Sequence, residues 1–419
     1  MNHKPFILFF LSVIVASAYA QRENQFSIDA QLRPRLEYDN GAVTPRDEGQ
    51  LPALYISNRT RLTLDYQRKN LEFKVAAQHT GIWGQDNIYK NAGSFNLNEA
   101  WAKIRFQPGF FVQVGRMPLA YDDERLLGAA DWNVAGNWHD ALRLGFENQT
   151  HRFHLFATYL QNTDDMHGGY YYAVMPYKQM QGAWYHIQIL PDMPLGISLL
   201  ALNVGYENGN AQTLVGKTTY MQTLGTHITF QPQQFDIAAS FYYQLGKTTA
   251  DASVSAFLAS GRLAYTIADI IKLRAGYDYL SGNDGLNVNQ HSFNPLFGTH
   301  HNFFGAMDYF VGRPLYGLQD AIGGLTAYIT PKVNVDVDYH YLQMAEDIFA
   351  IDLPRKLGHE IDIRLSAKIS SDVTLQAGYS TILPTRTAIA LHGTGNYHSW
   401  QDWAWISLNI NPRIFFTRW

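Results

Sequence analysis

Cysteine is absent from all 419 residues, which excludes a disulfide framework and thiol chemistry. Beyond the first twenty residues, no stretch approaches the ~20 consecutive apolar residues of a membrane-spanning helix. Helical periodicity is not sustained over any long window. No glycine-rich loop opens a helix to cradle phosphate. Charged residues are sparse at 16%, and the formal charge is only −4, so there is no basic footprint for nucleic acid. Domain boundaries, internal repeats and low-complexity linkers are also missing, which leaves a single domain.

The first twenty residues have a plain pattern. Lys4 is followed by an apolar run from Phe6 to about Val15 and then by Ala18-Tyr19-Ala20. That layout predicts a secretory leader over residues 1–20 and a domain over 21–419. Removing it takes one Lys and no acid, so the formal charge becomes −5.

Aromatics are plentiful, with 26 Tyr and 24 Phe. The stretch after the leader, FSIDAQLRPRLEY, alternates strictly. Phe26, Ile28, Ala30, Leu32, Leu36 and Tyr38 share one face of a strand, and Asp29, Gln31, Arg33, Arg35 and Glu37 share the other. The same two-faced pattern recurs to the end of the chain, less cleanly in the middle. It predicts about 18 strands, near 26–38, 56–66, 70–79, 97–106, 110–117, 139–147, 151–161, 181–190, 195–206, 217–230, 234–245, 253–266, 270–281, 321–330, 332–344, 358–369, 372–382 and 401–418.

Short gaps such as Arg68-Lys69, Gln107-Pro108 and Ser370-Ser371 alternate with long connectors around 39–55, 80–96, 118–138, 162–180, 282–320, 345–357 and 383–400. A soluble sandwich has no reason to keep that rhythm. A transmembrane barrel does, with short periplasmic turns and long extracellular loops. The aromatic-rich end, closing on Trp419, resembles the insertion signal of bacterial outer-membrane barrels. The predicted fold is therefore an all-β, antiparallel transmembrane barrel in the outer membrane of a Gram-negative bacterium.

In such a barrel the apolar face meets lipid and the charged face lines a lumen. Eighteen strands leave room for a water-filled channel. Inward bases would include Arg33, Arg35, Arg59, Arg61, Lys74, Lys103, Arg105, Arg143 and Arg152 on the N-terminal wall, with Lys272, Arg274, Arg364 and Lys368 on the C-terminal wall. Asp336, Asp338, Glu360 and Asp362 make the latter wall rather acidic. Arginine suits carboxylates through its planar fork of donors. Cross-strand pairing with neighbouring acids is the competing role for each of these arginines. Arg116 falls on the apolar side by alternation; either a bulge at Gly115 turns it inward or it lies beyond the lipid zone. Tyr66, Tyr159, Trp184, Trp403 and Trp405 read as interfacial girdles.

Two segments carry a family resemblance. EAWAKIRFQPGFFVQVGRMPLAYDDERLLGAADW (99–132), followed by His139-Asp140-Ala141-Leu142-Arg143-Leu144, resembles the alginate export domain family. AGYDYLSGND (275–284) and FNPLFGTHHNFFGAMDYF (293–310) look like that family's second signature. The resemblance implies an 18-stranded barrel with an arginine-rich pore that exports an anionic uronate polysaccharide. It carries over Arg116, Arg125, Asp131, Arg143 and Asp308 as motif positions, Arg116 and Arg125 among them as pore-lining.

The functional expectation is a channel for small anions or an anionic polysaccharide, with outer-membrane lipid as its surroundings and no cofactor. An uptake porin is the alternative within that class, and an outer-membrane enzyme the alternative outside it. His300-His301 with Asp308 makes a poor metal site, because adjacent side chains on an extended chain point apart. Ser380 and His340 have no motif to support a hydrolase. Oligomeric state is not legible.

Overall fold

The computed structural model describes residues 24–85, 94–160, 177–189, 194–208, 216–285, 288–312, 314–348 and 353–419. The predicted leader lies outside them.

Eighteen strands form one closed sheet. They are β1 (Gln25–Asn40), β2 (Ala53–Arg68), β3 (Leu71–Ile82), β4 (Ser94–Gln107), β5 (Phe110–Met117), β6 (His139–Glu147), β7 (His151–Tyr159), β8 (Gln179–Ile189), β9 (Leu195–Glu207), β10 (Thr218–Phe230), β11 (Phe235–Lys247), β12 (Ser253–Ile267), β13 (Ile271–Leu280), β14 (Leu318–Thr330), β15 (Val333–Gln343), β16 (Lys356–Lys368), β17 (Val373–Pro384) and β18 (Gln401–Ile410, resuming at Arg413–Arg418). Each pairs antiparallel with its neighbours in sequence, and both parts of β18 pair with β1 to close the barrel.

The break in β18 has a local cause. Pro412 has no N–H to give to a ladder, so the strand interrupts at Asn411-Pro412. The Pro412 carbonyl still accepts from Ala30 N at 3.0 Å, and the register shifts at Ile28/Asp29. The 401–418 segment expected as one strand is therefore one barrel position in two pieces. The loop rhythm holds, with two further connectors on the long-loop side, 208–217 and 248–252.

Alternation sorts the two faces as the sequence does. Leu32 is 42% exposed and Leu54 70%, as lipid-facing side chains are, while Glu37, Ser57 and Arg59 beside them are buried. Among the described residues no helix is long and apolar enough to cross a membrane, and the strands do the crossing.

The buried apolar cluster lies inside the barrel. Leu200, Leu202 and Val204 of β9, Met221 of β10, Tyr242 of β11 and Ala256 and Leu258 of β12 all point inward. They pack against two loops that enter the lumen: L3 (118–138), with Leu119, Tyr121, Leu126 and Leu127, and L7, between β13 and β14, with Phe293, Phe304 and Met307. This explains the poor alternation of the middle strands. Their extracellular halves carry apolar side chains on both faces, such as Tyr242, Ala256 and Leu258 toward the loops and Tyr243 and Leu245 toward lipid.

Candidate functional site

The site is built by L3 crossing the lumen. At one end it meets β1 and β2, whose inward side chains include Arg33, Arg59 and Arg61. Asp131 lies 2.9 Å from Arg59, 3.6 Å from Arg61 and 3.7 Å from Arg33. Arg33 also donates to the carbonyls of Asp131 (2.7 Å), Trp132 (3.2 Å) and Asn133 (2.9 Å). Gln31 receives Arg59 Nε at 2.9 Å, and Gln78 receives Arg61 at 2.7 Å while donating to the Ala135 carbonyl. A turn entering a lumen leaves carbonyls without ladder partners, and a guanidinium's five donors are suited to collect them.

The other end of L3 is held across the barrel. Arg125 pairs with Asp123 at 2.7 Å and with Asp278 of β13 at 3.1 Å. Asp278 is itself gripped by Arg262 of β12 at 2.6 Å. The Arg125 guanidinium also lies 4.1 Å over the Phe303 ring of L7. Burial opposes its charge, but Asp278 and Asp123 more than offset this and hold its pKa above the ordinary value.

L7 runs beside L3. Gly128 N and Phe297 N exchange backbone bonds with Phe297 and Leu126 carbonyls, at 3.0 and 2.9 Å. Thr299 hydroxyl donates to Glu124. Further along, Ala306 N donates to Asp362 at 3.2 Å and Met307 N to Glu360 at 2.6 Å. Gly305, at φ +89°, comes so close to Glu360 that a Cβ there would collide with its carboxylate. Tyr309 hydroxyl then reaches the Gly41 carbonyl at 2.7 Å.

Where the loops meet, Trp132 stacks on His301, with centroids 4.3 Å apart and planes inclined by 6°. Arg35 lies 4.3 Å over the Trp132 ring. Trp405 and Trp403 of β18 meet Trp132 edge-on at 4.9 and 5.8 Å. His301 Nδ1 donates to Asp308 at 3.0 Å. A cavity of about 540 Å³, reaching Asp39 and Tyr55, lies above this cluster. Another of about 410 Å³, reaching Asp336 and Arg364, lies below it. Trp132, His301 and Ala306 line both cavities, so they form the partition.

The remaining predicted residues divide between walls. Lys103 points inward over the Phe111 ring at 4.4 Å, and Arg105 pairs with Glu72 at 2.7 Å. Arg143 donates to Gln113 at 2.5 Å and, with Arg152, lines a 380 Å³ cavity that also holds His154, His186 and His227. Arg274 is taken up by Asp338 at 2.8 Å and Asp336 at 3.2 Å. Arg35 pairs with Glu37 at 2.9 Å.

Three expectations are corrected. Arg116 does not line the lumen. It sits on the outer face near the loop end, paired with Asp140 at 2.9 Å and 3.6 Å over the Trp138 ring. Gly115, at φ +122°, does not shift the register between β4 and β5, so no bulge turns Arg116 inward. Arg125 is a buried tether with a 2% exposed side chain, because it belongs to L3 rather than to the wall. Trp184, Trp403 and Trp405 are no girdle; all three face inward and are buried, by strict alternation with lipid-facing Tyr185, Ala404 and Ile406.

Sequence reasoning also missed Arg262 and the Trp132–His301 pair. Alternation around Leu263 and Gly261 could have placed Arg262 inward, whereas no local signal predicts a contact between two loops. His300 Nε2 donates to the Pro295 carbonyl at 3.0 Å, away from His301. Among the described residues, no group of three metal-binding side chains gathers. Both ring nitrogens of His340 face carboxylates, Asp320 at 2.8 Å and Asp362 at 3.6 Å, so neither serves Ser380.

A family model described as alginate export matches residues 24–388. Among solved structures, Pseudomonas aeruginosa OccK11 (OpdR) is similar with a TM-score of 0.62 at 11% identity, covering 94% of this chain and 96% of that one. Acinetobacter baumannii OccAB3 is similar with a TM-score of 0.63 at 12% identity, covering 94% and 99%. Pseudomonas aeruginosa OpdK, in a structure with vanillate, gives 0.61 at 10%, covering 93% and 99%. At such identities the likeness is one of fold. No curated protein sequence matches.

Proposed function

The chain belongs to the alginate export family and is an outer-membrane β-barrel channel, and from that premise we propose that it passes small carboxylate-bearing anions through a partitioned, arginine-lined lumen. The observation that carries this reading is the course of L3. It spans from the Arg33–Arg59–Arg61 cluster to Asp278 on the far wall and leaves cavities of about 540 and 410 Å³ on either side of the Trp132–His301 stack. Volumes of that size suit a small molecule.

The arginines give the path its sign. Arg35, on the partition, and Lys103, Arg143 and Arg152, on the wall of β4, β6 and β7, favour anions. Asp336, Asp338 and Asp362 oppose them, so a dipolar solute would be oriented during passage.

Export of an anionic uronate polymer is the second reading, favoured by the family match over residues 24–388. It requires both loops to leave the lumen. Planar-bilayer recordings distinguish the two. Small-anion passage predicts anion-selective single channels blocked by a monomeric uronate and insensitive to long oligouronates. Block that strengthens with oligomer length favours the polymer, and absence of channels sinks both.

A further inference from the structure

Asp131 is one carboxylate shared by three arginines: 2.9 Å from Arg59, 3.6 Å from Arg61 and 3.7 Å from Arg33. Gln31 and Gln78, which accept from Arg59 and Arg61, are neutral. Asp131 is the one carboxylate in ion-pair contact with the three among the described residues; Glu99, which also acts on Arg61, is taken up by Lys74 at 2.9 Å. Arg59 is 0% exposed, and its Nη2 has no hydrogen-bond partner. A buried guanidinium with an unused donor is costly and calls for an acceptor. The Asp131 side chain, by contrast, is 63% exposed and rides on a loop rather than a strand.

We infer that the Arg33–Arg59–Arg61 triad is a carboxylate subsite which Asp131 occupies in cis, and that an incoming organic carboxylate exchanges with it. The inference rests on the anion-channel reading above. Exchange replaces one carboxylate by another, so the charge at the triad is conserved. No covalent bond changes. Trp132 follows Asp131 directly, and its position depends on the same turn. Release of Asp131 therefore removes one of the turn's holds on the wall at the moment the anion arrives, beside the Arg33 bonds to the Asp131, Trp132 and Asn133 carbonyls. An occupant tethered on a loop of the same chain competes at an effective concentration roughly in the millimolar range, which raises the apparent dissociation constant of any free carboxylate.

The test uses the purified full-length protein in planar bilayers, with sodium glucuronate as probe and glucose as the uncharged control. Asp131→Asn removes the internal competitor while keeping its shape. The blocking concentration of glucuronate should then fall on the order of tenfold, and the reversal potential should shift toward anions. Asp131→Glu should behave like the wild type, and Arg59→Gln should lose the block. If Asp131→Asn raises cation and anion currents alike with an unchanged blocking concentration, Asp131 is only a brace and the inference is overturned.

A measurement on the wild type needs no variant. Backbone hydrogen exchange across residues 118–138 should accelerate with glucuronate and not with glucose. No acceleration overturns the exchange mechanism. A wild type whose anion-selective channels are blocked by glucuronate without faster exchange across residues 118–138 defeats this inference alone, whereas a wild type without channels, or without glucuronate block, defeats the channel reading beneath it.

Discussion

Trp132 of L3 and His301 of L7 lie face to face, 4.3 Å apart between ring centres, at the point where the upper and lower cavities meet. Each residue sits on a loop, and neither is near the other in sequence. The pair narrows the lumen, and its aromatic neighbours Trp403 and Trp405 on β18 keep Trp132 from turning aside.

Removing the larger ring should widen the passage. Trp132→Ala is expected to raise single-channel conductance several-fold, while the barrel still runs as a folded, heat-modifiable band in gels. Unchanged conductance would show that the partition is elsewhere.

The far anchor of L3 is a buried ion pair. Asp278→Ala leaves Arg125 and Arg262 without their shared carboxylate, a loss of about 3–5 kcal/mol for a buried pair. The strand ladder of β13 does not depend on that side chain. L3 should therefore detach while the barrel persists, seen as rapid gating noise and faster hydrogen exchange across residues 118–138. A quiet channel with slow exchange would contradict the tether.

Acid should loosen L7. Burial holds the His300 pKa below its ordinary 6.5, against the opposing pull of the Pro295 carbonyl and Asp308. The seated loop therefore holds a neutral imidazole more readily than a charged one, and the released loop binds the proton first. The contribution is fully present above about pH 6.5 and is lost progressively as the pH falls below it. Gating noise should rise between about pH 7 and pH 5, and His300→Gln should flatten that dependence. An identical pH response in the variant would assign the effect to other groups.

Lipid contact can be tested on the opposite face. Leu224 lies midway along β10 and is half exposed outward. Leu224→Arg should cost about 2–4 kcal/mol of folding free energy in vesicles, measured by denaturant titration. A cost near zero would mean that the residue is not at the membrane midplane.

Much of this protein is legible along the chain. Period-two alternation is a local property of extended backbone, so the pattern puts Leu32 and Leu36 on one face and Arg33 and Arg35 on the other, and the loop rhythm then gives the first face to lipid and the second to the lumen. The rhythm of short turns and long loops predicts the closed barrel and its strand number, although it takes 401–418 as one unbroken strand where Pro412 interrupts it. Where loops enter the lumen, local patterns stop being informative. Trp403 and Trp405 look like membrane girdles until Trp132 is found between them and His301. Arg125 looks like a pore residue until Asp278, 153 positions later, is found beside it. Ladder geometry repeats every two residues and is written in the pattern. The resting place of L3 depends on which carboxylates and carbonyls meet which guanidiniums once eighteen strands have closed around it, and those meetings join positions that no short window of sequence contains.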